Sequence, residues 1–353
     1  MPSSDKPETT TVVAAHGAAD LPSVTVDTYN AELREGDGFV GDRASNRAFY
    51  ALLDDWRDRL AQYGDDPLGD VEGKEIGKKA LDKILASGDV EAAGVIHGAI
   101  EDFANELAAV IRRFLRLKGW KDTERIVIGG GFRRSRIGEL SIGRTAVLLK
   151  ASGHNVDLKL IDNHPDEAGL IGAVHLAPSW IFKGHDSILA ADIGGTNMRV
   201  GLISLGGKRN GDASKAKVIE TELWRHADDK PTRDEAVKRL TKMLNGLVKH
   251  AEKEKHRLAP FIGIGCPGMI NTDGAIERGG QNLPGNWESS RFNLPQAIRE
   301  VIPEIDGHET VVVLHNDAVV QGLSELPDMT DVEHWGVLTI GTGLGNARFT
   351  NKR

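Results

Sequence analysis

Four short runs of this chain combine residue types that could handle a phosphate group. The first is DIGGTNMR (192–199). Gly194 and Gly195 lack the β-carbons that would block an anion, so backbone N–H groups can point at it, and Thr196 adds a hydroxyl donor. Asp192 stands at the end of an apolar run and can hold a hydrated magnesium ion through water. The same residues also read as a tight glycine hairpin turn with an acidic start. The second run, LTIGTGLGN (338–346), repeats the design with Gly341, Thr342 and Gly343. Two such turns, each after an apolar strand, read better as a phosphate clamp of two facing loops than as a paired coincidence. Gly195 and Gly343 are expected to supply both space for the anion and a positive φ.

The third run is LHNDAVVQGLSE (314–325), in which a strand ends and presents Asn316 and Asp317 at the start of a helix. Open α/β sheets place their ligands at such strand ends. Asp317 could accept the proton of an attacking hydroxyl; the alternative is an ordinary helix N-cap, for which Asn and Asp are favoured. The fourth run, IVIGGGFRRS (126–135), sets Gly129, Gly130 and Gly131 after a strand. A flat ring or a phosphate could lie against that backbone, and a strand-to-helix turn alone needs fewer glycines. His315 reads as a satisfied strand-end histidine and Cys266 as a small core residue.

The elements that must position these runs follow from hydrophobic periodicity. From 188 to 326 the pattern is βββαβαβα, the order of a ribonuclease-H-like domain, with a capping box at Thr232 and Glu235 opening a helix. Residues 29–180 are mainly helical and end in an αβαβα series. It includes a helix over about 90–117 with Ile96, Ile100, Phe103, Leu107, Ile111 and Phe114 on one face and Gly119 at its end. Residues 335–353 read as a strand pair. The expected fold class is α/β. Two ribonuclease-H-like domains of the actin-like ATPase fold flank a cleft, and the second domain is split between the two ends of the chain.

Bulk properties narrow the function. A net charge of −8 argues against nucleic acid as the main partner, because phosphate backbones attract clusters of Lys and Arg. One cysteine in 353 residues excludes an internal disulfide framework and argues against a thiolate zinc site. No apolar run is long enough to cross a membrane. Residues 1–28 are polar and lack the basic start and apolar core of a secretory signal, so a disordered tail and a cytoplasmic location are expected.

Together the motifs resemble the ROK sugar kinases, relatives of hexokinase, over roughly residues 90 to 350. DIGGTNMR resembles the first phosphate loop of that family and LTIGTGLG the second; GIGCPGMI (263–270) is similar to its GxGxPG segment and QNLPGNW (281–287) to the loop before the sugar site. HNDAVVQGLSE resembles the catalytic segment. IVIGGGF with DEAGLIGAVHLA (166–177) resembles the part that closes over adenine. The resemblance implies transfer of the γ-phosphate of ATP, with Mg2+, to a hexose-like hydroxyl, and Asp317 as general base. It places Asn316 and Asn282 at the sugar, Gly194, Gly195, Thr196, Gly341, Thr342 and Gly343 at the phosphates, and Gly129, Gly130 and Gly131 at the adenosine.

The order differs from the family's. Here GGG and AGLIGA precede DIGGT, a circular permutation joined through the connector 178–187. The Glu and His that grip the hexose in the family, and its cysteine-rich zinc motif, have no matching positions; Asn30, Glu32, Asp42 or Asn46 would have to substitute at the sugar. The expected partners are a small sugar and a second copy in a homodimer, with neither nucleic acid nor membrane. A non-catalytic sugar- or nucleotide-binding protein is the alternative. A sugar-responsive regulator is another, but it needs a basic helix-turn-helix, and the first forty residues lack one.

Overall fold

The computed structural model describes residues 15–36, 38–206 and 213–353. Ten strands form two five-stranded sheets. They are β1 (Val24–Tyr29), β2 (Arg125–Gly129), β3 (Asp157–Leu160), β4 (Ser187–Ile193), β5 (Met198–Ser204), β6 (Lys217–Trp224), β7 (Leu258–Cys266), β8 (Val311–Asn316), β9 (His334–Ile340) and β10 (Leu344–Asn351). The main helices are α1 (Asn46–Leu60), α2 (Lys78–Ser87), α3 (Val90–Leu115), α4 (Arg136–Ala151), α5 (Pro165–Gly172), α6 (Arg233–Lys253), α7 (Leu294–Val301) and α8 (Asp317–Leu323).

The first sheet has the order β6-β5-β4-β7-β8, with β4–β5 and β5–β6 antiparallel and β4–β7 and β7–β8 parallel. The second, β1-β10-β9-β2-β3, repeats that topology strand for strand, with β9–β10 and β10–β1 antiparallel and β9–β2 and β2–β3 parallel. Each sheet is thus a ribonuclease-H-like unit, and the pair is the actin-like ATPase fold. In the second unit the first two strands come from the chain's C-terminal end and the third from residues 24–29.

Alternation along the strands builds five layers. Leu189, Ala191 and Ile193 face α6 and α7, whereas Ile188 and Ala190 face the opposite way, into a central core shared with Val127, Val337 and the helices α5 and α8. Ile126 and Ile128 turn toward α1, α3 and α4. Burying each such Leu, Ile or Phe contributes about 1.5–3 kcal/mol. The helices α5 and α8 cross between the sheets so closely that a β-carbon on Gly172 would lie 1.7 Å from the Val320 carbonyl oxygen.

The expected elements recur, with the capping box formed in both directions at Thr232 and Glu235. The helix over 90–117 stops at Leu115; Gly119 sits instead in a short 3-10 turn against Thr28. The tail expected over 1–28 needs a larger correction. Residues 1–14 lie outside the described residues, but Val24 and Val26 are buried in the central core as part of β1. Six residues of alternating VTVDTY carry too little apolar content to reveal a strand until β10 offers an edge to pair with. Just before it, residues 16–18 lie along β8: the Gly17 amide donates to the Leu314 carbonyl (2.9 Å) and the Leu314 amide to His16 Nδ1 (3.1 Å). The segment therefore covers the open edge of one sheet and supplies the edge strand of the other.

Candidate active site

The parallel strands β4, β7 and β8 end together, and their register sets Asp192 beside Gly265 and Gly265 beside His315. Asp192 and Asp317 thus flank a strand whose facing residue has no side chain. A β-carbon on Gly265 would already meet Val320 at 3.3 Å and the Asp317 Cα at 3.5 Å. Burial is the main cause that pushes the Asp317 carboxyl up to about 7, and the negative charge of Asp192 adds to it, against the pull of nearby backbone amides. Burial likewise raises Asp192; the Arg199 guanidinium lowers it and Asp166 raises it further. Two carboxylates that share one poorly solvated pocket titrate as a coupled pair.

Asn316 Oδ1 accepts from the amides of Ala318 (3.0 Å) and Val319 (3.4 Å), so Asn316 is the N-cap of α8, and Asp317 stands at the first helical position with its carboxyl near the amides of that first turn. The Asn316 side-chain Nδ2 donates to the Gly268 carbonyl (3.0 Å) and the residue is buried, so only one of its side-chain N–H groups remains for a ligand. His315 is satisfied as expected. Its Nδ1 accepts from the Asn316 amide at 2.7 Å, its Nε2 lies 3.1 Å from the Ala18 carbonyl oxygen, and burial lowers it to about 4.

The first glycine turn is fixed from behind. The Gly194 amide donates to the Asn197 carbonyl (2.8 Å), and His226 Nε2 lies 2.8 Å from the Gly194 carbonyl oxygen. The amides of Gly195 and Thr196 have no acceptor among the described residues. Asn282 lies against this turn, its Cβ 2.8 Å from where a β-carbon on Gly195 would stand. In the second turn the Gly341 amide donates to the Gly343 carbonyl (2.9 Å) and the Gly341 carbonyl accepts from the Asn46 amide (3.0 Å). A β-carbon on Gly343 would meet nothing within 4 Å, and Thr342 is exposed. Neither Gly195 nor Gly343 has a positive φ. Close approach and open space, not a left-handed backbone, are what those positions require.

The triplet divides its work. Gly130 has φ +87° and its missing β-carbon would collide with the Ile340 carbonyl at 2.3 Å, so it locks the end of β2 to the end of β9. Gly129 faces Ile161, Thr339 and Gln321, and Gly131 alone opens onto free space.

Several residues are placed here that their sequence patterns did not mark. Arg199 Nη2 reaches Asp166 at the start of α5 (2.8 Å) while Nη1 stands 3.6 Å from Asp192, tying the two domains at the first turn. Lys78 joins Asn46 to Gly131; no local pattern distinguishes that lysine from its neighbours in a polar helix. Asn46 is therefore tied to the second turn and not to a sugar pocket, and Glu32 is paired with Arg34. Asp42 is exposed. Asn30 alone of the four lies beside the Asn316 side: its Nδ2 would be 3.1 Å from a β-carbon on Gly279, which packs on Gly268. Among the described residues one acidic group of three is close enough to hold a metal, Asp162, Glu325 and Asp328, and there Glu325 already accepts the amides of Asp162 and Asn163.

No family model matches the chain. The glucokinase of Thermotoga maritima is 26% identical over 166 residues, 46% of this chain and 44% of the relative. The chain thus spans about half the length of the curated relative it matches. Among solved structures, a ROK hexokinase from Thermus thermophilus matches with a TM-score of 0.31, 22% identity and 45% of each chain covered. A Ppx/GppA family member from Aquifex aeolicus matches with a TM-score of 0.31 and 15% identity, over 71% of this chain and 87% of its own.

Proposed function

We propose that this chain, which resembles the ROK sugar kinases, transfers the γ-phosphate of ATP to a hydroxyl of a hexose-like sugar. One observation carries the reading: with Asn316 as the helix cap, Asp317 stands at the foot of α8 beside Asp192, its carboxyl pushed up to about 7 by burial and by that neighbouring charge. A general base works best with a pKa near the operating pH. Asp317 takes the proton of the attacking hydroxyl as the oxygen approaches the phosphorus. Asn282 and the remaining amide hydrogen of Asn316 orient the sugar. The free amides of Gly195 and Thr196 and the turn at Gly341, Thr342 and Gly343 hold phosphate oxygens. Gly131 opens toward the adenosine, with Gly129 and Gly130 shaping the wall behind it.

Carboxylate oxygens under mutual repulsion fit a hard divalent cation, so Asp192 would hold Mg2+ through water, and the ion would supply charge neutralisation at the phosphates. Arg199, fastened to Asp166, keeps Asp192 from turning away. The element order supports a circular permutation of the family arrangement, with residues 335–353 and 24–29 together supplying the first three strands of the second unit.

The test is ADP release in a coupled assay over a panel of hexoses and N-acylated hexosamines with Mg-ATP. Sugar-dependent ADP formation that Asp317→Asn lowers by on the order of a hundredfold or more supports the reading. Sugar binding in calorimetry with no ADP formed on any substrate replaces it with the non-catalytic binding protein.

A further inference from the structure

The helix α2 lies outside every motif, yet its first residue reaches the centre of the nucleotide side. Lys78 Nζ donates to the Gly131 carbonyl at 3.0 Å and to Asn46 Oδ1 at 3.1 Å, and stands 5.2 Å from the centre of the Phe132 ring. Asn46 in turn donates its amide to the Gly341 carbonyl at 3.0 Å. One ammonium thus spans the gap between the glycine triplet and the second glycine turn.

Its charge is offset only in part, by the through-space attraction of Asp82. Among the described residues no carboxylate is paired with Lys78. Asp82, the nearest acid that acts on it, is occupied: its two oxygens accept the amides of Arg136 (3.0 Å) and Ile137 (3.1 Å) at the start of α4. A half-buried ammonium held only by neutral oxygens retains a desolvation penalty that an anion would relieve. Burial lowers its pKa to about 8, the direction of a cation short of negative partners. The surroundings leave room for one, because β-carbons built on Gly77, Gly131 and Gly343 would meet nothing within 4 Å. The start of α2 also has no side-chain cap, so the positive end of that helix faces the same region.

We propose that Lys78 is a binding residue for the phosphate chain of the nucleotide, donated by a helix that closes over the junction of the Gly131 and Gly341 turns. The assignment rests on the kinase reading above. The third N–H of the ammonium contacts a phosphate oxygen while the other two keep Gly131 and Asn46 in place.

The test compares Lys78→Met and Lys78→Arg with the wild type, in the full chain, by calorimetry with ATP, with adenosine and with inorganic tripolyphosphate, alongside thermal unfolding. Loss of a charge-assisted bond should weaken ATP and tripolyphosphate binding by about tenfold or more, with adenosine affinity within twofold, and Lys78→Arg should recover most of the loss. In turnover, KM for ATP should rise with KM for the sugar unchanged. Equal losses for ATP and adenosine would make Lys78 a pin for the loops, and unchanged ATP affinity in a Lys78→Met protein of normal melting temperature would also overturn the proposal. A wild type that binds tripolyphosphate through Lys78 but not ATP would keep the anion site and remove the nucleotide kinase.

Discussion

Asp317 ties a functional advantage to a cost in stability. In the folded protein its carboxyl keeps a proton up to about pH 7, whereas the ordinary value is 3.8. Between those values the folded state holds a proton at Asp317 that the unfolded chain has lost, so the contribution of this carboxyl to stability is greatest below about pH 4, is lost as the pH rises through 7, and levels off above it. Asp317→Asn removes that loss. Without nucleotide or magnesium, the variant should melt at a higher temperature than wild type at pH 8, and the gap should close by pH 4. The activity should run the other way: kcat/KM for the sugar in the wild type should rise with pH and reach half its maximum near 7. A flat profile from pH 5.5 to 8.5, with no change in melting temperature, would leave Asp317 a bystander. At this scale the sequence marked Asp317 as a candidate and left base and cap as alternatives. The hydrogen bonds of Asn316 give the capping role to that residue, a point the sequence leaves open because Asn and Asp share the same capping chemistry.

At the scale of elements, two glycines in helices should respond in opposite ways to the same substitution. Gly172→Ala places a methyl 1.7 Å from the Val320 carbonyl oxygen at the crossing of α5 and α8 and should cost at least about 2 kcal/mol. Gly246→Ala, on the exposed face of α6 with nothing within 4 Å, should gain about 0.5–1 kcal/mol from reduced freedom of the unfolded chain. Urea unfolding of both variants measures the difference; a neutral Gly172→Ala would mean that α5 and α8 can separate without loss. The amphipathic helices α3 and α6 and the apolar strands β2, β4 and β9 were legible from their periodicity. The strand β1 was not, since its six residues become a strand only through pairing with β10, more than 300 positions away in the chain.

At the scale of the whole molecule, the two ends of the second sheet's strands can test the proposed permutation. The Lys352 amide donates to the Ser23 carbonyl at 3.0 Å and its ammonium pairs with Asp20 at 2.7 Å. The end of β10 and the start of β1 therefore meet as a hairpin whose turn is open. A chain relinked from Arg353 to Asp20 through a few Gly and Ser residues, without residues 1–19 and opened within 178–187, should still unfold cooperatively, at a lower temperature than the parent because it loses the cover that residues 16–18 give β8. The connector it cuts is ten residues and spans at most about 35 Å. Failure of the relinked chain to fold, judged by circular dichroism and calorimetry, would show that the present order is required for the fold.

In the sequence by itself, local spacing and residue chemistry were enough to mark the types of elements and where the glycine turns fall. Its motif order, with GGG and AGLIGA before DIGGT, is what suggested a permutation. What the tertiary structure alone decided was which polar groups remain unspent. Asn316 is consumed by a helix end and a carbonyl, Glu325 by two loop amides, and Asn46 by a glycine turn, whereas burial shifts both Asp317 and Lys78 toward their neutral forms, and neither forms an ion pair among the described residues. That distinction depends on three-dimensional neighbours contributed by residues far apart in the chain, and on burial, which changes the free energy of a charge only once those neighbours have excluded water.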